Sequence, residues 1–119
     1  ALRLKRARMK MAEGDLAGAA VLLEELKAGL AEESEERIRA QILLSRIFLA
    51  QGEGERAAEY PRQVVAAKGL GSAWVKQYWP RLGDFLEACY AKGARRPGAS
   101  ISAPEPGQSV LTGARDGPD

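Results

Sequence analysis

The chain has 119 residues, of which 45% are hydrophobic and 29% are charged, and its formal net charge is +2. This length allows one modest core, and the charge is too small to indicate nucleic-acid binding on its own. Histidine is absent and Cys89 is the only cysteine, which excludes an internal disulfide and a cysteine-rich zinc site. We therefore expect a protein that is not an enzyme, with no catalytic residues, cofactor or metal.

No apolar run approaches the ~20 residues that a membrane-spanning helix needs. The N-terminus also lacks the apolar segment of a signal peptide. These features predict a cytoplasmic protein without membrane contact. The chain begins at Ala1 within a helical pattern, so we expect a fragment of a longer protein.

Helix-forming residues dominate as far as Gly93, which predicts an all-α protein. A first helix over residues 1–13 has an apolar stripe that includes Leu4 and Met11. Five cations surround this stripe, as a solvated helix face or as a phosphate-binding arm: Arg3, Lys5, Arg6, Arg8 and Lys10. Gly14 ends this helix, and Asp15 caps a second helix over residues 16–27.

The central helix, residues 37–50, is apolar on two sides. One stripe consists of Ile38, Ile42, Ser45 and Leu49, and the other of Leu43, Ile47 and Ala50. Because a helix that is apolar on two sides is covered on two sides, we expect it to form the middle layer of a stack. Ser34 is its predicted cap. The glutamates Glu32, Glu33, Glu35 and Glu36 either complement its dipole or form a metal site.

A fourth helix is predicted over residues 55–68, with a kink at Pro61. Ser72 caps a short helix that ends at Tyr78, and a last helix covers residues 79–92. Its residue Cys89 is predicted to be a half-buried core thiol, with a reactive thiol as the alternative. From residue 94 onward, proline and glycine replace the apolar periodicity. The sequence thus predicts a helical domain over residues 1–93 and a disordered or extended linker or tail over residues 94–119.

The chain also matches itself at a spacing of 38 residues. The segment Met11-Ala12-Glu13-Gly14-Asp15 aligns with Leu49-Ala50-Gln51-Gly52-Glu53, and in both copies a pair of alanines follows. Each copy reads as helix, Gly-acidic turn, helix, and this pattern resembles tetratricopeptide repeats. The segment Trp79-x-x-Leu82-Gly83-x-x-Leu86 is similar to the start of a third copy. The resemblance implies a right-handed solenoid of antiparallel helix pairs.

A narrower resemblance covers the later part of the chain. The segment LAQGEGERAAEYPRQVVAAKGLGSAW, followed by a last helix and a Pro/Gly-rich tail, is similar to the C-terminal sensor region of MalT-type transcription activators of the LuxR class. That resemblance implies a domain that binds a small-molecule inducer or a protein. DNA binding would belong to a helix-turn-helix domain absent from this chain. The alternative is an interaction scaffold unrelated to transcription, either a tetratricopeptide adaptor or the helical arm of a proteasome-lid-like subunit.

In solenoids of this kind the first helix of each pair lines the concave groove. The resemblance therefore implies a groove for an extended protein, peptide or inducer that carries carboxylate or phosphate. Its predicted residues are Arg8, Met11, Arg39, Ile42, Arg46 and Leu49. Solvated arginines paired with glutamates are the other interpretation. An alternative binding surface is an aromatic patch formed by Trp74, Tyr78 and Trp79.

Overall fold

A computed structural model describes residues 2–96, and all the regular elements of this part are α-helices. They are α1 (Leu2–Ala12), α2 (Leu16–Ala28), α3 (Glu35–Ala50), α4 (Gly54–Lys68), α5 (Ala73–Tyr78) and α6 (Leu82–Ala91). The described part contains no strand, so the predicted all-α class is confirmed for it. Within residues 2–96, no helix has both the length and the apolar character needed to cross a membrane.

The ends of the helices follow local chemistry. The side chain of Asp15 accepts a hydrogen bond from the Gly18 N–H at 3.0 Å, and Ser34 accepts from the Arg37 N–H at 3.2 Å. Ser72 accepts from the Val75 N–H, also at 3.2 Å. Each bond satisfies a donor that the first turn of a helix leaves free. All three predicted caps are confirmed.

The start of the last helix differs from the prediction. The Trp79 N–H still donates to the Val75 carbonyl at 2.8 Å, so Trp79 closes α5 instead of opening α6. Its φ and ψ of −147° and 66° lie outside the helical region. Since Pro80 has no N–H, regular helix resumes only at Leu82.

Helix α3 contributes to two separate hydrophobic cores. Ile38 and Ile42 pack in the core that includes α4, α5 and α6, whereas Leu43 and Ile47 pack in the core with α1 and α2. Phe48 is half-buried against both cores. The two apolar stripes of the sequence therefore correspond to two buried faces, except that Ala50 at the end of the second stripe is exposed. Ser45, 3% exposed, donates its hydroxyl to the Gln41 carbonyl one turn earlier at 3.1 Å, which satisfies its buried polar group.

The 38-residue self-match also appears in the backbone hydrogen bonds. Gly14 and Gly52 both have positive φ, 87° and 81°, a region that glycine enters without steric cost. The four bonds that close the two turns correspond pair by pair: Gly14 N–H to Met11 O (3.0 Å), Asp15 N–H to Lys10 O (2.8 Å), Gly52 N–H to Leu49 O (2.9 Å) and Glu53 N–H to Phe48 O (2.9 Å). The two segments thus share a conformation as well as a residue pattern.

A third turn of the same form follows α6, 41 residues after Gly52. Gly93 has φ 104°, its N–H donates to Tyr90 O at 3.1 Å, and the Ala94 N–H donates to Cys89 O at 3.0 Å. By this geometry α6 corresponds to α1 and α3, while α5 is an extra short helix between two units.

Helix α4 runs without interruption through Pro61, whose side chain is less than 2% exposed. Its first residue, Gly54, lies against the end of α6. A Cβ atom at position 54 would stand 2.6 Å from both the Cys89 and the Lys92 carbonyl oxygens. The approach of α4 to α6 therefore requires a residue without a side chain.

The chain immediately after Gly93 is attached to these helices. Ala94 is 6% exposed, and the Arg95 N–H donates to Glu55 Oε1 at 2.9 Å. Arg62 donates to Glu55 Oε2 at 2.6 Å and also to the Arg95 carbonyl. Residues 94–96 therefore pack on the helical domain, although the predicted tail begins at residue 94. Residues 97–119 lie outside the described residues, and the predicted tail stays a prediction there.

Candidate functional site

Two of the predicted groove residues share a cavity of about 750 Å³ between α1 and the start of α3. Arg8 approaches it from α1 and Arg39 from α3. Leu4 and Lys5 of α1 also line it, together with Ser34, Glu35 and Glu36. The cavity therefore combines cations from one helix with carboxylates from the other.

The two arginines differ in how far their charges are compensated. Arg39 bonds to the Glu35 carboxylate through its Nε at 2.9 Å and a terminal nitrogen at 2.8 Å, and it lies 6.0 Å from the centre of the Tyr78 ring. Arg8 and Lys5 are exposed and make no ion pair within residues 2–96. The positive charges available to an incoming anion therefore lie on α1.

The remaining predicted groove residues lie elsewhere. Arg46 is exposed, two turns after Arg39 on α3, and makes no ion pair within the described part of the chain. Met11 and Leu49 are half-buried against different cores. Ile42 is only 5% exposed, because its stripe is the face that the later helices cover. It therefore offers no groove surface, contrary to the sequence-based assignment.

The predicted aromatic patch is also divided. Trp79 is 2% exposed, stacks with Tyr60 at a centroid distance of 6.1 Å and lies 5.1 Å from the Phe85 ring. It is a core residue, since the non-helical backbone after α5 places its ring among the apolar side chains of the core. Trp74 and Tyr78 are half-buried and line a second cavity of about 680 Å³.

This second cavity lies between α3, α4 and α5 and brings in residues that the sequence reasoning missed. Tyr60 lines it from α4, and Glu32 and Glu33 line it from the loop before α3. Burial raises the pKa of the Tyr60 hydroxyl, the Arg37 charge opposes this, and the Glu32 charge adds to it. In the sequence, the helical spacing of Tyr60 and Val64 indicates that they share one face of α4. That spacing does not show that this face lies opposite α3 and α5.

Arg37 was also missed, and it holds the loop that carries these glutamates. One terminal nitrogen donates to the Lys27 carbonyl at 3.3 Å and to the Leu30 carbonyl at 3.1 Å, at the end of α2. A guanidinium at the C-terminal end of a helix also interacts favourably with the helix dipole. The Arg37 Nε is buried and has no hydrogen-bond partner in the described part of the chain.

Two further sequence hypotheses concern chemistry. Cys89 is fully buried, more so than the predicted half-buried thiol, and burial raises its pKa although Arg62 opposes the shift. The thiol is therefore protonated near neutral pH and is shielded from reagents. Within residues 2–96, no three side chains among His, Cys, Asp and Glu are grouped so that they could hold a metal ion.

Comparison of the chain with protein-family models, with curated proteins and with solved structures finds no match.

Proposed function

We propose that this chain is a binding domain built from helical repeats: the sensor region of a MalT-type transcription regulator of the LuxR class. The observation that carries this proposal is the recurrence of one turn, with the same hydrogen bonds, after α1, α3 and α6. Repeated units of this kind stack into solenoids whose concave surface binds a partner. The proposed architecture is a right-handed superhelical stack of antiparallel helix pairs.

The proposed binding surface is the cavity between α1 and α3. These two helices are the first members of their pairs, which in solenoids line the concave side. Arg8 and Lys5 supply charge that no described carboxylate neutralises, and Leu4 supplies an apolar wall. The ligand that fits is a peptide, protein segment or small inducer with a carboxylate or phosphate group and some apolar surface.

In this proposal the domain acts in the cytoplasm and does not itself contact DNA. Binding at the α1–α3 cavity would be relayed through the chain after residue 96 to a separate DNA-binding domain. The attachment of Arg95 and Arg96 to Glu55 and Glu87 provides a fixed exit point for that connection.

The native coding sequence tests the regulator assignment. We expect a helix-turn-helix domain within the roughly sixty codons that follow residue 119, because that motif reads DNA in regulators of this class. A stop codon, or continued helical repeats, would instead favour the adaptor alternative, in which the same solenoid binds a protein partner without any link to transcription.

A further inference from the structure

The second cavity has the walls of a cation-binding site. Trp74 and Tyr78 of α5 present rings with centroids 5.0 Å apart and inclined by 50°. Tyr60 of α4 adds a third ring. Aromatic rings carry negative charge on their faces, so several rings around one space attract an organic cation, and quaternary ammonium groups most of all.

The charges at this cavity have the matching sign. Glu32 and Glu33 line it, and neither makes an ion pair within residues 2–96. Seven other described carboxylates have basic partners within 4.0 Å, whereas Glu32 and Glu33 keep their charges available to a ligand. Lys68 is the single basic residue among the lining residues, so the lining side chains carry a net negative charge, while Arg37 and Arg39 lie near the rings outside this lining.

Other contacts within the chain involve the same groups. Arg39 lies over the Tyr78 ring at 6.0 Å, so this ring already faces one cation. The Arg37 and Glu32 charges both act on the Tyr60 hydroxyl, in opposite directions, so a cation and a carboxylate lie in electrostatic reach of this ring. Arg37 bonds to the Lys27 and Leu30 carbonyls and thereby holds the start of the glutamate-bearing loop in position.

We propose that this cavity binds a small organic cation with an alkylated ammonium head group. The rings of Tyr60, Trp74 and Tyr78 contact the methyl groups, while Glu32 and Glu33 balance the charge. A volume of about 680 Å³, bounded by three helices and a loop, is of the size that small-molecule sites have. This site goes beyond the proposed function, because it is separate from the α1–α3 cavity and does not depend on a DNA-binding domain.

The test uses choline as a probe and dimethylbutanol, its neutral isostere, as the matched control ligand. Heteronuclear NMR of the full chain resolves the two indole N–H groups, of Trp74 at the cavity and Trp79 in the core. We expect choline to shift the Trp74 signal saturably, with the Trp79 signal nearly unchanged. Choline should bind about tenfold more tightly than its isostere, since only choline gains the cation–π and carboxylate attraction.

Two variants separate the charge from the apolar shape of the site. The double substitution Glu32→Gln/Glu33→Gln should reduce choline affinity to about that of the isostere. Glu13→Gln/Glu25→Gln makes the same charge change at exposed carboxylates outside the cavity and should leave the affinity unchanged. Circular dichroism confirms that both variants keep the helical content.

Equal binding of choline and dimethylbutanol would overturn the proposal, because the cavity would then select shape alone. Unchanged choline binding by Glu32→Gln/Glu33→Gln would also overturn it. A capped lysine amide imitates a lysine side chain of a partner protein. If it bound more tightly than choline, the cavity would recognise a protein side chain, which would contradict a small-molecule occupant. None of these outcomes bears on the regulator assignment, which depends on the gene and on the α1–α3 cavity.

Discussion

Gly54 shows how one missing side chain sets the distance between two helices. Gly54→Ala would place a Cβ 2.6 Å from two carbonyl oxygens of the α6 terminus, and backbone atoms cannot yield as a flexible side chain would. We expect this substitution to lower the free energy of unfolding by about 1 to 3 kcal/mol, the usual cost of overpacking. Urea denaturation followed by circular dichroism measures it.

Gly71→Ala is the matched control, since a Cβ there meets no atom within 4 Å and the backbone is not left-handed. Its effect should stay within about 0.5 kcal/mol. If Gly54→Ala changed the free energy of unfolding as little as Gly71→Ala, the close approach of α4 to the end of α6 would be contradicted.

The sequence predicted individual residues well where their partners are close along the chain. The caps Asp15, Ser34 and Ser72 were predictable because each accepts from an N–H three residues later. Ile42 and Trp79 were assigned to surfaces but lie in the core. A helical stripe shows that a face is apolar, but it does not show which faces the neighbouring helices cover.

At the scale of elements, Ile47 is the most informative core residue of α3. It is fully buried in the core shared with α1 and α2. Ile47→Ala should lower the free energy of unfolding by about 2 to 5 kcal/mol, through lost burial and the cavity left behind. The midpoint of urea denaturation measures the loss.

The neighbouring substitution Arg46→Ala, at an exposed position of the same helix, should leave stability nearly unchanged. If the Ile47→Ala protein were as stable as the Arg46→Ala protein, the position of α3 between two hydrophobic cores would be contradicted.

The attachment of residues 94–96 should depend on pH through Glu55. The Arg62 hydrogen bond, followed by that of the Arg95 N–H, lowers the pKa of Glu55 below its ordinary value of 4.5. A lowered pKa stabilises the folded form above the ordinary value, and this contribution is lost as the pH falls through the folded pKa. We therefore expect the Arg95 amide resonance to titrate in NMR spectra with a midpoint below 4.5.

Glu55→Gln should abolish that titration while keeping an acceptor for the Arg95 N–H. A midpoint at or above the ordinary value in the unsubstituted chain would show that the attachment does not form in solution.

Across residues 2–96, the helical class and the order of the helices were predictable from the sequence, but the binding surfaces were not. Periodicity, glycine turns and the 38-residue match predicted the helices and their repeat, because these signals are local or copied along the chain. The Glu55–Arg95 attachment and the Tyr60 cavity join residues that are far apart in sequence. Such contacts depend on how the helices pack, which no single segment encodes.

The α1–α3 cavity makes a prediction about ligand charge. A fluorescein-labelled peptide of alternating glutamate and leucine should bind the chain, and Lys5→Glu/Arg8→Glu should weaken binding by about tenfold or more as attraction becomes repulsion. Fluorescence anisotropy measures the affinity.

Arg3→Glu/Arg6→Glu is the matched control, because it makes the same charge change on exposed positions of α1 that do not line the cavity. Equal losses in the two double variants would indicate only general charge attraction and would contradict a site at this cavity.

The repeated turn underlies the proposed solenoid, and through-hydrogen-bond NMR couplings test it most directly. We predict couplings from the Asp15, Glu53 and Ala94 amides to the carbonyls of Lys10, Phe48 and Cys89, one from each turn. Couplings from these amides to the carbonyls four residues earlier would instead mean that each helix continues through its glycine. That result would contradict the repeat and the binding function proposed from it.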